Sequence, residues 1–407
     1  MLGLDFPALQ NAEIILPASK SESNRALILQ HISKGKFELC GLSEAQDSVT
    51  LQKLLNDFDS KTEFDCGPAG TTFRFLTALA AFTPGTRIIT GSQRMQERPI
   101  KDLVDCLRQL GAEISYLKKE DYPPLKIVGK SQPSTNQAEI SLANSSQYAS
   151  AVLLAAAGFE KGLQLKLSNL AGSISYLNMT LTILKEAGVE ITQEANSIIL
   201  SNPGFVEETF AVEADWSAAS YWFSLCALSK KEILLKGLKE NSLQGDSVLT
   251  ELYPQLGVEA TFATSGLLLS PTGNMVSCFA HDFSNCPDIA QTIMATVAGL
   301  GISAEFTGLH SLRIKETDRI SAMQTELAKF GWTLEEKEND RFFLHKTHEP
   351  EEKLVIDDYH DHRMLMSIAP LAIPFGKLYL RNPEVVGKSY PSFWEDLKIL
   401  GASLEIA

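Results

Sequence analysis

Two kinds of helical pattern alternate along the chain. The first is a short polar start followed by a run that is apolar on nearly every side: SKSESNRALILQHI, GPAGTTFRFLTALAAF, NSSQYASAVLLAAAGF, DWSAASYWFSLCALS, CPDIAQTIMATVAGL and HDHRMLMSIAPLAI. A helix without a polar face belongs inside a large core. After each comes a short alternating piece ending in a turn (KFELCGL, TRIITGS, LQLKLSNL, EILLKGL, SAEFTGL, KLYLRNP), which predicts a strand. The second kind is a Leu-rich run with apolar residues at i, i+3, i+4 and i+7 that ends in glycine: LVDCLRQLG, LTILKEAG, LTELYPQLG, MQTELAKFG and FWEDLKILG. Each predicts an amphipathic helix, a glycine C-cap and a following strand. The glycines Gly111, Gly188, Gly257, Gly331 and Gly401 recur about every seventy residues. A first copy, LQKLLNDFDSKTEF, has Asp59 where the glycine belongs.

The repeating unit is therefore a buried helix, a strand, an exposed helix and further strands, present six times. That is an α/β pattern, and six units of about seventy residues use the whole chain. Periodicity alone leaves open one array or two sets of three.

Composition narrows the function. The chain has 407 residues, 44% of them hydrophobic, which excludes wholesale disorder. Its formal net charge of -14 disfavours nucleic acid as a partner. The longest apolar stretch, Ala149 to Phe159, is about half of the ~20 residues a spanning helix needs, so no membrane span is expected. The first residues lack a basic stretch followed by an apolar run, so no export signal is read there and a cytoplasmic location is expected. Six cysteines without a CxxC predict reduced, mostly buried thiols. The cysteines have no zinc-site spacing; His360-x-His362 and His345/His348 are weak metal hints, the second pair reading better as a solvated loop, and no metal is expected.

The chemistry gathers at the polar starts of the buried helices: Lys20, Ser21 and Arg25; Gly70, Thr71 and Arg74; Ser145, Ser146 and Gln147; Asp215 and Ser217; Asp288; His362 and Arg363. A helix start offers unpaired N–H groups and about half a positive charge. Ser, Thr and Asp there are ordinarily plain N-caps. Lys and Arg are different, because they oppose the dipole, and that cost points to an anionic ligand. Further cations lie in SQRMQERPI (Arg94, Arg98), LRIKETDRI (Arg313, Lys315, Arg319, with Glu316 and Asp318) and VVGKSYP (Lys388). On a continuous helix Lys315 and Arg319 would share one side. GPAGT lacks the GK[ST] ending of a nucleotide-binding P-loop.

K-S-x-S-x-R (Lys20 to Arg25), A-G-T-x-x-R (Ala69 to Arg74), R-M-x-E-R-P-I (Arg94 to Ile100), N-S-S-Q (Asn144 to Gln147), N-S-L-Q-G-D (Asn241 to Asp246), K-E-T-D-R (Lys315 to Arg319), D-H-R-M (Asp361 to Met364) and G-K-S-Y-P (Gly387 to Pro391) stand in this order. Together they resemble the enolpyruvyl transferases, and within them the branch that acts on shikimate 3-phosphate. The resemblance implies a two-domain inside-out α/β barrel of six βαβαββ repeats, three per domain. The upper domain would be residues 20–213, the lower domain residues 1–19 and 214–407, and the site a cleft between them that closes on substrate. It implies phosphoenolpyruvate among Lys20, Gly70, Arg98, Gln147, Arg319, Arg363 and Lys388. It implies shikimate 3-phosphate among Ser21, Arg25, Ser145, Ser146, Gln147, Ser173, Asp288 and Lys315. By the same resemblance a carboxyvinyl group passes to the 5-hydroxyl and phosphate leaves. Asp288 serves the hydroxyl proton, Glu316 the methylene proton, and Lys20 and Lys388 the departing phosphate. His362 either hydrogen-bonds near the phosphate or orients its surroundings. No cofactor is required and a monomer is expected.

Three positions depart from the family pattern: Pro68 for an Asn in the A-G-T loop, Ser311 for an Asn near the shikimate ring, and the glycine lost at Asp59. Gly70 is kept, so the phosphoenolpyruvate pocket is expected to keep its room and to admit glyphosate. The sister branch that acts on UDP-N-acetylglucosamine usually has a Cys in the loop before R-P, and Arg94 to Arg98 contains none. A non-catalytic anion-binding relative would be expected to lack Asp288, Glu316 or Lys20, and all three are present.

Overall fold

A computed structural model describes residues 1–143, 145–169, 174–201, 204–338 and 340–406. The chain is a mixed α/β protein that divides into two compact units: Ser19–Val212, and Met1–Ala18 together with Glu213–Ala407.

In the Ser19–Val212 unit the helices Lys20–Ile32, Gly70–Ala81 and Ser146–Ala156 form the core. Of Gly70–Ala81 every residue but Thr71 is buried, as an all-round apolar pattern requires. Two four-stranded sheets share one connectivity. In the first, Glu63–Asp65 pairs parallel with Gly85–Thr90, which pairs antiparallel with Leu125–Gly129, and that with Glu113–Tyr116. In the second the order is Gln137–Ser141, Leu163–Ser168, Ser197–Ser201 and Glu190–Glu194. In both, the parallel pair is joined by a buried helix. The third sheet has two strands, Phe37–Cys40 beside Glu208–Ala211.

In the other unit three four-stranded sheets repeat the same pairing around Trp216–Ser229, Ala290–Leu300 and His362–Ile368. Their first, parallel pairs are Ala12–Ile15 with Ile233–Lys236, Cys278–Asp282 with Ser303–Thr307, and Leu354–Ile356 with Leu378–Leu380. The three helices meet through a hydroxyl ladder inside the apolar core. Ser220 Oγ lies 3.1 Å from Thr292 Oγ1, which lies 3.1 Å from Ser367 Oγ. Thr296 donates to Ser224 Oγ at 2.8 Å. Each pair satisfies groups that would be costly to bury alone.

All six strands that were expected after the buried helices form. Four of the five expected glycine caps also behave as such, with positive φ at Gly111, Gly188, Gly331 and Gly401. Three expectations fail locally. LTELYPQLG gives only Leu249–Leu252 and a 3-10 turn, because Pro254 has no N–H to continue the helix; Gly257 then falls within the strand Leu256–Ala263. HDHRMLMSIAPLAI stops at Ile368, just before Pro370. The copy that lost its glycine belongs to the two-stranded sheet, so five sheets rather than six have four strands among the described residues. Beside Asp59 the chain uses Arg87, whose guanidinium donates to the carbonyls of Phe58, Thr83 and Pro84 and lies over the Phe58 ring.

No described helix is long and apolar enough to cross a membrane. All six thiols are free; Cys66, Cys106, Cys226 and Cys286 are buried, Cys40 and Cys278 exposed.

Candidate active site

The predicted residues form two clusters, one in each unit. In the Ser19–Val212 unit, Lys20 opens its helix behind the N-cap Ser19, and its ammonium lies 3.2 Å from the buried Asp47 carboxylate. One turn on, Arg25 is fully buried. It donates to Thr180 Oγ1 at 2.7 Å, to Ser21 O at 2.8 Å and to Tyr176 O at 3.2 Å, and it lies over the Phe75 and Tyr176 rings. All its hydrogen-bond partners are neutral, and burial, against the pull of Tyr176 and Glu22, brings its pKa down to about 10.

Gly70 begins the next helix. A Cβ there would lie 2.6 Å from Arg74 Nη1 and 2.7 Å from Arg98 Nη1, so two guanidinium groups converge on this glycine. Arg74 donates to Gln147 Oε1 at 3.0 Å and stacks over the Tyr148 ring, while its buried Nε has no hydrogen-bond partner. Gln147 sits in the first turn of Ser146–Ala156, where the N-cap Ser145 accepts from its backbone N–H. Gly70, Arg98 and Gln147, named separately from the sequence, are thus linked through Arg74. Ser173 lies outside the described residues.

The second cluster centres on Arg319, 2% exposed, at the start of Arg319–Lys329. It donates to Asp361 at 2.7 and 3.3 Å, to Asp288 at 3.1 Å and to Glu316 at 3.1 Å. Burial pulls this guanidinium down, but Asp361, Glu316 and Asp288 outweigh that and hold it above its usual value. Asp288 also faces Lys315 Nζ at 3.5 Å and Arg363 Nη2 at 3.3 Å, and its own carbonyl accepts from Arg363. Lys388 Nζ lies 3.3 Å from Glu316. Burial lowers the Lys315 pKa against the pull of Asp288. His362 is buried with Nδ1 3.6 Å from Asp361. Behind Arg363, Ser217 donates to the buried Asp246, whose pKa is pushed up to about 7 by burial first and by the Asp288 charge next.

K-E-T-D-R is not one helix. Asp318 is the N-cap, accepting from Ile320 N and Ser321 N, so Lys315 to Thr317 are non-helical. The cap turns the chain so that Lys315 and Glu316 still meet Asp288 and Arg319. Sequence reasoning gave no role to Asp47, Asp246 or Asp361. Asp361 carried a visible signal, an Asp before a buried helix, and it is the N-cap of His362–Ile368 as well as the partner of Arg319. Asp47 had none. Pro68 is exposed and Ser311 half-buried in the turn His310–Ile314. Among the described residues no group of three or more His, Cys, Asp or Glu could hold a metal ion.

Carboxylates interleaved with cations in one unit, and buried arginines hydrogen-bonded to neutral groups beside the Lys20–Asp47 ion pair in the other, suit an enzyme that handles small, multiply anionic substrates. The sequence model of the family described as EPSP synthase (3-phosphoshikimate 1-carboxyvinyltransferase) matches residues 43–397, and the chain belongs to that family. The chain is 42% identical to the 3-phosphoshikimate 1-carboxyvinyltransferase of Bacteroides fragilis (strain YCH46), over 99% of this chain and 98% of that one. It is 31% identical to that of Methanospirillum hungatei JF-1, over 94% of each. Its fold matches the solved EPSP synthase of Acinetobacter baumannii with a TM-score of 0.78 over 100% of both chains, at 20% identity.

Proposed function

We propose that the protein transfers the carboxyvinyl group of phosphoenolpyruvate to the 5-hydroxyl of shikimate 3-phosphate and releases phosphate, a step toward chorismate and the aromatic amino acids. The observation that carries this reading is the Arg319 cluster, where two carboxylates needed for proton transfer share one guanidinium. Asp288 takes the hydroxyl proton as oxygen attacks the central carbon of phosphoenolpyruvate. Glu316 delivers a proton to the methylene carbon, then removes one as the tetrahedral intermediate expels phosphate. Lys388, beside Glu316, and Lys20 stabilise the leaving phosphate, and His362 supports the same corner. Phosphoenolpyruvate is held by Lys20, Gly70, Arg98, Gln147, Arg319, Arg363 and Lys388. Shikimate 3-phosphate is held by Ser21, Arg25, Ser145, Ser146, Gln147, Ser173, Asp288 and Lys315. Arg25 suits that role because a buried cation on neutral acceptors gains from an incoming phosphate.

In this reading the chain is an inside-out α/β barrel of two domains, 20–213 and 1–19 with 214–407, closing on substrate. It works as a cytoplasmic monomer without a cofactor, and glyphosate inhibits it. The test mixes the purified protein with phosphoenolpyruvate and shikimate 3-phosphate and follows inorganic phosphate. Release that needs both substrates is expected; release from phosphoenolpyruvate with UDP-N-acetylglucosamine instead would overturn the reading. A glyphosate inhibition constant in the millimolar range or weaker would remove the glyphosate part alone.

A further inference from the structure

Two turns down the helix that begins with Arg319 lies a buried carboxylate that the reaction does not use. Glu326 is fully buried, seven residues beyond Arg319 on the same helix face and about 10 Å further along the axis. It accepts from Tyr359 Oη at 2.7 Å and from Lys329 Nζ at 2.9 and 2.8 Å. Lys329 Nζ also donates to Val355 O at 2.7 Å. One helix therefore grips the segment 355–361 at two points: Arg319 holds Asp361, while Glu326 and Lys329 hold Tyr359 and Val355.

Between these grips the backbone is strained. Tyr359 and His360 have φ of 50° and 55°, two successive bulky residues in the left-handed region. Such residues persist only where their surroundings over-determine them. Here Asp358 accepts from His360 N at 2.9 Å and from Asn382 Nδ2 at 2.8 Å, and its carbonyl accepts from Asp361 N at 2.9 Å. The turn ends at Asp361, which orients Arg319, and the chain runs on into Arg363. An apolar contact would join Tyr359 to the helix without burying a charge. A hydrogen bond adds direction, which apolar packing lacks.

We propose that Glu326 and Tyr359 are positioning residues, whose hydrogen bond holds the left-handed turn so that Asp361 presents Arg319 in the orientation that receives phosphoenolpyruvate. This rests on the reading of Arg319 as a phosphoenolpyruvate ligand. The test is Tyr359→Phe, which removes one hydroxyl and keeps the ring, with steady-state kinetics in each substrate and thermal unfolding of the ligand-free protein. KM for phosphoenolpyruvate is expected to rise roughly tenfold while KM for shikimate 3-phosphate stays within about twofold. Glu326→Gln keeps an acceptor for the hydroxyl and is expected near wild type; Glu326→Leu is expected to reproduce Tyr359→Phe. If Tyr359→Phe does not fold, the Gln and Leu pair carries the same comparison. An unchanged phosphoenolpyruvate KM, a parallel rise in both constants, or a Gln variant as impaired as the Leu variant overturns the assignment. Arg319→Lys separates the two ideas. If it raises the phosphoenolpyruvate KM and Tyr359→Phe does not, the positioning role fails alone. If Arg319→Lys leaves that constant unchanged, the ligand reading fails and the positioning role falls with it.

Discussion

The arginines of the two clusters follow opposite electrostatic plans, although Lys20 in the first is paired with Asp47. In the Ser19–Val212 unit Arg25 and Arg74 are buried against hydroxyls, carbonyls, an amide and aromatic rings, with no ion pair among the described residues. In the other unit Lys315, Arg319, Arg363 and Lys388 all lie within ion-pair distance of Asp288 or Glu316. Desolvating an unmatched cation is costly, and an anionic ligand recovers that cost on binding. A matched network gains little from one more anion, but it fixes carboxylates where protons must move. The difference teaches a division of emphasis: the arginines of one cluster are free to answer a ligand's charge, while the cations of the other also hold the acid–base groups in place.

The largest test of that division removes an acid–base group. Asp288→Ala or Glu316→Gln should lower kcat by about 10²- to 10⁴-fold, measured as phosphate release with both substrates saturating. A variant within tenfold of wild type would strip that residue of its role. A second test sets one cation from each plan side by side. Arg319→Met leaves Asp361, which has no exposed surface, without its guanidinium, and should destabilise the ligand-free protein by about 3–5 kcal/mol. Arg25→Met removes a cation that makes no ion pair, with only Glu22 acting on it at longer range, so stability from urea unfolding should fall little, by about 1 kcal/mol at most, while KM for shikimate 3-phosphate rises at least tenfold. Equal losses of stability would erase the contrast. Third and smaller, Gly70→Ala pushes the ends of two flexible side chains, Arg74 and Arg98, rather than backbone. Unfolding should be unchanged and KM for phosphoenolpyruvate should rise about tenfold, because both guanidinium groups must give way. An unchanged KM would mean that the convergence on Gly70 serves no ligand.

The first cluster was the more legible in sequence, and the plans explain why. Its residues lie at helix starts, where a Lys or Arg is locally out of place, so Lys20, Arg25 and Arg74 stood out without any partner being known. The acid–base frame is set by long-range pairing. Arg319 meets Asp288 and Asp361 from 31 and 42 residues away, and no local pattern announces such partners. The same limit hid Glu326, which reads as one more charge on an amphipathic helix until Tyr359 is seen above it. Fold elements failed where one residue overrode a pattern, as at Pro254 and Pro370. The two-stranded sheet went unread because the loss of a glycine cap says nothing about strands elsewhere.

Asp246 is the exception that sharpens the comparison, because it lies in the matched unit yet makes no ion pair among the described residues. Its hydrogen-bond partner is the Ser217 hydroxyl, and burial, with the Asp288 charge, pushes its pKa up from the usual 3.8 to about 7. A carboxyl with a raised value keeps, in the fold, a proton that the unfolded chain has already released between the two values. Stability from this source is therefore fully present below pH ~4 and is lost as pH rises through about 7. Glu326, also raised by burial, acts with the same sign, so the wild-type slope alone cannot assign the effect. Asp246→Asn can, since the amide still accepts from Ser217 but does not titrate. Between pH 5 and 8 the ligand-free wild type should lose on the order of 1–3 kcal/mol more than Asp246→Asn, read from urea midpoints at each pH. Parallel slopes in the two proteins would mean that Asp246 is ionised throughout.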